Sequence, residues 1–129
     1  MTRRALTYRR TPALERPVQR AAIKLIRMAG YEPIHVPNGV KLSGDKMARV
    51  KQAAVLKADG LRPGFMDLIV MGPAPKIGFL ECKREGGSEA LLDPDQIWWR
   101  ARCHELGWPW FFLNRPEDVF VAFREWGWR

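Results

Sequence analysis

Asp67, Glu81 and Lys83 are the residues of this chain whose types and spacing amount to chemistry. They border two short apolar runs, Leu68 to Met71 and Ile77 to Leu80, separated by Gly72-Pro73-Ala74-Pro75-Lys76. Glycine and proline between runs of β-branched and aromatic residues predict a hairpin with a longer loop. If Met71 and Ile77 close that loop, paired residue numbers sum to 148 and Asp67 lies opposite Glu81. Strand side chains alternate between faces, so Lys83 shares the face of Glu81 while Leu80 and Cys82 point the other way. Like charges directly opposite on a strand pair are destabilising. The two carboxylates therefore call for a positive partner, either Lys83 or a divalent cation. Oxygen-only ligation by few protein groups suits Mg²⁺ or Mn²⁺ rather than zinc.

The flanking elements have to position these groups. From Glu15 to Ala29, apolar residues recur at three- and four-residue spacing (Val18, Ala21, Ala22, Leu25, Ile26), which predicts an amphipathic helix stopped by Gly30. Pro17 fits the first turn of a helix and not its interior, so the helix either begins near Arg16 or begins at Pro12 and bends. Glu15 and Gln19 share a face if both are helical. Tyr31 to Pro37 reads as a strand, with His35 as a packing or hydrogen-bonding residue. A second helix is expected from Ser43 or Asp45 to about Asp59, carrying Lys46, Arg49, Lys51 and Lys57.

Beyond the hairpin, Arg84 to Leu92 reads as a flexible polar loop. Asp93-Pro94-Asp95-Gln96 carries a helix start with a capping box, Gln96 reaching back to Asp93. Ile97, Trp98, Ala101 and Leu106 are the expected buried stripe of that helix. Pro109 to Leu113 reads as a strand inside the sheet, and Val119 to Trp126 as a last short helix. Trp98 and Trp110 are expected in the core, with Trp126 and Trp128 at a subunit interface.

Composition bounds the class. The 129 residues fit one domain, 1–129, with a basic, mobile arm expected over 1–11. Cys82 and Cys103 are expected as buried thiols in a reducing compartment. No apolar run approaches the roughly 20 residues of a membrane span, and Met1-Thr2-Arg3-Arg4 leads into no signal-like stretch. The expected location is the cytoplasm, that of the host cell if the gene is carried by a phage. The net charge of +8 is uneven: residues 1–62 hold 14 Lys and Arg against four acidic residues, and 63–129 hold eight against ten. A basic half beside an acidic hairpin predicts a surface for phosphates next to a pocket for metal.

Taken together, Glu15 with Gln19, His35-Val36-Pro37-Asn38-Gly39, Gly64-Phe65-Met66-Asp67-Leu68, Phe79-Leu80-Glu81-Cys82-Lys83, and Asp93-Pro94-Asp95-Gln96 with Trp99 resemble, in order, the motifs of a small stand-alone VRR-NUC domain of the PD-(D/E)XK nuclease superfamily. Met66 departs from the superfamily pattern, which leads one to expect proline before the Asp. The resemblance implies an α/β fold with a restriction-endonuclease-like αβββαβ core, a mixed sheet flanked by helices. It implies a metal-dependent endonuclease for branched DNA (Holliday junction, flap or fork), commonly a homodimer. Asp67, Glu81, the Cys82 backbone carbonyl and Glu15 would hold Mg²⁺ or Mn²⁺, Lys83 would orient or deprotonate water, and Gln96 would steady Lys83 or that water. Asn38, Lys41, Lys46, Arg49, Lys51, Arg62 and Arg84 are the expected DNA contacts. Three other readings compete: a sequence-specific restriction-type nuclease, a basic DNA-binding or scaffolding module with an inactive site, and a strand-face ion pair of Glu81 with Lys83.

Overall fold

The structure, a computed structural model, describes residues 7–8, 12–37 and 40–128, with only the backbone of 7, 8, 40 and 41. Arg3, Arg4, Arg9, Arg10 and Asn38 lie outside the described residues, as does the side chain of Lys41. The elements are β1 (Thr7–Tyr8), α1 (Arg16–Met28), β2 (Glu32–His35), β3 (Val40–Lys41), α2 (Lys46–Ala58), β4 (Leu68–Met71), β5 (Ile77–Cys82), α3 (Pro94–Leu106), β6 (Trp110–Leu113) and α4 (Val119–Glu125).

The hairpin forms in the expected register: Met71 pairs with Ile77 and Leu68 with Leu80. Around it the sheet has the order β2-β4-β5-β6. β2 is antiparallel to β4, and β6 is parallel to β5. The parallel pair needs a crossover, and α3 supplies it. This is an α/β fold with a four-stranded mixed sheet flanked by helices. β6 corrects one expectation: it is the edge strand, not an interior one. Within the expected N-terminal arm, the backbone of Thr7–Tyr8 pairs antiparallel with β3. A two-residue strand carries too little hydrophobic alternation to be read in sequence.

One face of the sheet buries Leu68, Val70, Leu80, Cys82 and Leu113 against Val18, Ala22 and Ile26 of α1 and Val119, Ala122 and Phe123 of α4. Full burial of an aliphatic or aromatic side chain is worth about 1.5–3 kcal/mol, whereas exposed ion pairs such as Arg102–Glu105 contribute about 0–1 kcal/mol. The core, then, holds the fold. Trp126 and Trp128 are partly buried and pack against it: Trp128 stacks on Phe123 at 5.7 Å and meets Tyr31 edge-on at 5.4 Å. Trp126 covers Gly78 so closely that a Cβ there would overlap the indole.

The other face carries α3. Its N-terminus is a capping box on Asp93, and it ends at Gly107, whose φ of 81° is readily adopted only by glycine. The stripe expected to be buried is open instead: Ile97 is 42% exposed, Trp98 48% and Leu106 56%. Cys103 is the buried residue of this helix. Its burial, and that of Cys82, pushes both thiols up, and both cysteines are free. α2 starts at Asp45, which accepts from the Ala48 N–H at 2.8 Å, and none of its residues is buried. No helix among the described residues is long and apolar enough to cross a membrane.

Candidate active site

The hairpin register brings Asp67 and Glu81 together just past the last β4–β5 pair, on the sheet face away from the main core. Both are buried, Asp67 to 8% exposure and Glu81 to 1%. Asp67 Oδ2 accepts the Cys82 N–H at 2.7 Å, while the Asp67 carbonyl accepts the Val36 N–H at 2.9 Å. These bonds tie the residue to β5 on one side and to the end of β2 on the other.

The Glu81 carboxyl is pushed up to about 10, first by burial and then by the charge of Asp67 and a side-chain hydrogen bond to it. At neutral pH the two carboxyl groups therefore hold a proton between them. Lys83 is buried as well, and its Nζ lies 3.7 Å from Glu15 Oε2. Glu15 stands at the N-cap position of α1 but makes no side-chain capping bond, so its carboxylate is turned to the lysine. Burial raises Glu15 most; Lys83 pulls it down and Asp67 pushes it up.

Gln96 performs two tasks at once. Its Oε1 accepts the Asp93 N–H at 3.0 Å, closing the capping box, and its Nε2 donates to Glu81 Oε2 at 2.9 Å. Helix capping and a site role are alternatives in the sequence; a primary amide with separate donor and acceptor ends does both. Its partner within the site is Glu81.

A further layer lies behind. Gln19, one turn along α1 from Glu15, has Nε2 3.1 Å from His35 Nδ1, which is 3.2 Å from the Asp67 carbonyl. An Nδ1–H tautomer donates to that carbonyl, whereas an unprotonated Nδ1 accepts from Gln19. His35 is a bridge between α1 and the Asp67 backbone, matching its reading as a hydrogen-bonding residue.

A cleft of about 380 Å³, lined by Pro12, Ala13, Leu14, Glu15, Lys83, Arg84 and Leu91, opens beside the lysine. The polar segment expected as a loop there carries local structure. Ser88 caps a short 3-10 turn over Glu89–Leu91, Asn114 Nδ2 donates to the Gly87 carbonyl at 2.7 Å, and Glu89 pairs with Arg100 of α3. Of the expected DNA contacts, Arg84 is at this cleft, and Lys46, Arg49 and Lys51 ride on α2. Arg49 donates to the Gly44 carbonyl at 2.7 Å. Arg62 stands over the rings of Trp98 and Trp99, an arrangement that no sequence signal announces.

Among the described residues, no three His, Cys, Asp or Glu side chains converge as a ready metal cage. Two facing carboxylates do converge, and their oxygen donors suit a hard dication that keeps most of its waters, as Mg²⁺ does. The Cys82 N–H points to Asp67, and in an extended strand the carbonyl of the same residue points to the same side. These residues fit Mg²⁺ or Mn²⁺: a cation would replace the shared proton and relieve the repulsion that now raises Glu81. No family model, curated protein or solved structure matches the chain.

Proposed function

We propose that this chain is a metal-dependent endonuclease that hydrolyses phosphodiester bonds in branched or otherwise structured DNA, as a VRR-NUC-like member of the PD-(D/E)XK superfamily. The observation that carries this reading is the buried Asp67–Glu81 pair, with Lys83 beside it at the mouth of a cleft. Two carboxylates forced together in a low-dielectric site lose stability by their repulsion. Such a pair makes physical sense as a cation holder.

Asp67, Glu81 and the Cys82 carbonyl would hold Mg²⁺ or Mn²⁺, with Glu15 near enough to Lys83 to assist through it. Bound there, the ion supplies Lewis acidity toward a phosphoryl oxygen and a more acidic water. Lys83 orients the attacking water or takes its proton, and its cationic form stabilises charge developing on the phosphoryl oxygens. Gln96 fixes the rotamer of Glu81, so the carboxylate does not have to be ordered during reaction. Arg84 at the cleft, together with the basic face of α2, offers phosphate contacts that carry no base identity, and this favours structure selection over sequence selection. The test is cleavage of labelled four-way junction, flap and linear duplex under Mg²⁺ or Mn²⁺. Preferential cutting of a branched substrate is expected. Binding of all three without any cutting would leave a basic DNA-binding module as the function.

A further inference from the structure

One cluster on the α3 face has no part in the chemistry above. The Arg62 guanidinium carbon lies 5.2 Å from the ring centroid of Trp98 and 4.8 Å from that of Trp99. The two indoles meet edge to face at 5.1 Å. Trp99 is anchored, its Nε1 donating to the Pro63 carbonyl at 3.1 Å. Its ring also meets Phe65 edge-on at 4.9 Å, and Phe65 meets Phe79 at 5.7 Å. Phe79 is two residues before Glu81 on the same strand and hence on the same face. Trp98, by contrast, keeps 48% of its surface open beside Ile97 at 42%. Leaving so much indole in water is unfavourable for folding, and Arg62 over the ring still leaves about half of the residue open.

This cluster is rigidly indexed to the carboxylate pair. Gln96, bound to Glu81, and Trp99 are three apart on α3, so they are neighbours on one face about one helical pitch, roughly 5 Å, apart. The Arg62–Phe65 loop is pressed on the same helix start: a Cβ at Gly64 would come within 2.5 Å of the Asp95 Cβ and 2.9 Å of the Gln96 nitrogen. The close backbone approach and the positive φ of +74° explain glycine at this position.

We propose that Arg62, Trp98 and Trp99 form a stacking site for one unpaired nucleobase, carried on the helix whose Gln96 holds Glu81. Indole faces and the guanidinium plane are the surfaces on which splayed bases stack, whereas a base inside a duplex offers no free face. The site therefore reads an interruption of pairing, and it would place the adjoining phosphodiester at the carboxylates. The proposal rests on the nuclease reading and deepens it by naming what makes a DNA structured for this protein.

The test is binding in EDTA, which leaves the DNA uncut, to a duplex with one unpaired 2-aminopurine, the same duplex with an abasic residue there, and a fully paired duplex. Stacking contributes about 1–3 kcal/mol per base in other proteins. Wild type is thus expected to prefer the bulged base by about tenfold over both controls, with quenching of the probe. Trp98→Ala should lose that preference and keep wild-type affinity for paired duplex, while Trp98→Phe should retain most of it. Equal losses on all three DNAs, or no loss, would overturn the proposal. So would a change in oligomeric state of Trp98→Ala on size exclusion, which would make the patch a protein contact. If wild type binds and cuts DNA but treats base and abasic bulge alike, this inference alone fails; if it binds no DNA, the nuclease reading fails with it.

Discussion

Replacing Glu81 with glutamine tests the shared proton without any metal or substrate. The Glu81 carboxyl sits at about 10 in the folded protein against 4.5 ordinarily. Folded protein therefore keeps a proton that the unfolded chain has lost over the intervening pH range. The sign follows: this contribution to stability is fully present below pH 4.5 and is lost as pH rises toward about 10. Each pH unit in that window corresponds to about 1.4 kcal/mol. Between pH 5 and 7 the group thus removes at most about 3 kcal/mol, or about 10 °C of Tm in a domain of this size. The glutamine side chain of Glu81→Gln does not titrate. Its amide N–H can stand in for the shared proton toward Asp67, and its carbonyl can accept from Gln96. Thermal melts in EDTA at pH 5, 6, 7 and 8, followed by far-ultraviolet circular dichroism, should show wild type losing stability with rising pH relative to Glu81→Gln. The difference between the two curves cancels titrations of groups that do not interact with Glu81. Parallel curves would refute the idea that Asp67 and Glu81 share a proton.

Three further outcomes follow from the packing. Gly64→Ala combines a positive φ with contacts below 3 Å to Asp95 and Gln96; it should cost about 2–4 kcal/mol in melts and weaken cleavage by displacing Gln96. Asp93→Ala removes the acceptor of the Gln96 backbone N–H at about 1 kcal/mol and loosens the helix start that positions Gln96 against Glu81, so activity should fall more than the small Tm loss explains. Gly78→Ala, which drives a methyl into Trp126, should destabilise by about 1–3 kcal/mol while leaving metal dependence unchanged in whatever fraction remains folded.

Which parts are legible in the sequence depends on what each signal rests on. The hairpin register is readable because proline and glycine fix where β4 stops and β5 starts, and two-residue periodicity then places Asp67 opposite Glu81. The capping box at Asp93–Gln96 is readable because it is local. Burial on α3 is not, since the helix lies on a face where Phe65, Phe79 and Trp99 contact one another edge-on, and apolar residues at helical spacing do not say which side is covered. Spacing alone puts Trp98 in the core for that reason, and it is half open instead. Arg62 against the two indoles joins positions more than 30 residues apart, beyond any periodicity. β6 at the sheet edge likewise depends on tertiary context, because an edge strand whose faces are partly covered looks in sequence like an interior one.

The measurement closest to the central claim is single-turnover cleavage of a labelled branched DNA by wild type and by Lys83→Ala, each in Mg²⁺ and in EDTA. Wild type in Mg²⁺ is predicted to cut, wild type in EDTA to be silent, and Lys83→Ala to bind the DNA with its rate reduced by about a hundredfold or more. Cutting by Lys83→Ala at the wild-type rate, or by wild type in EDTA, would contradict the assignment of hydrolysis to Asp67, Glu81 and Lys83.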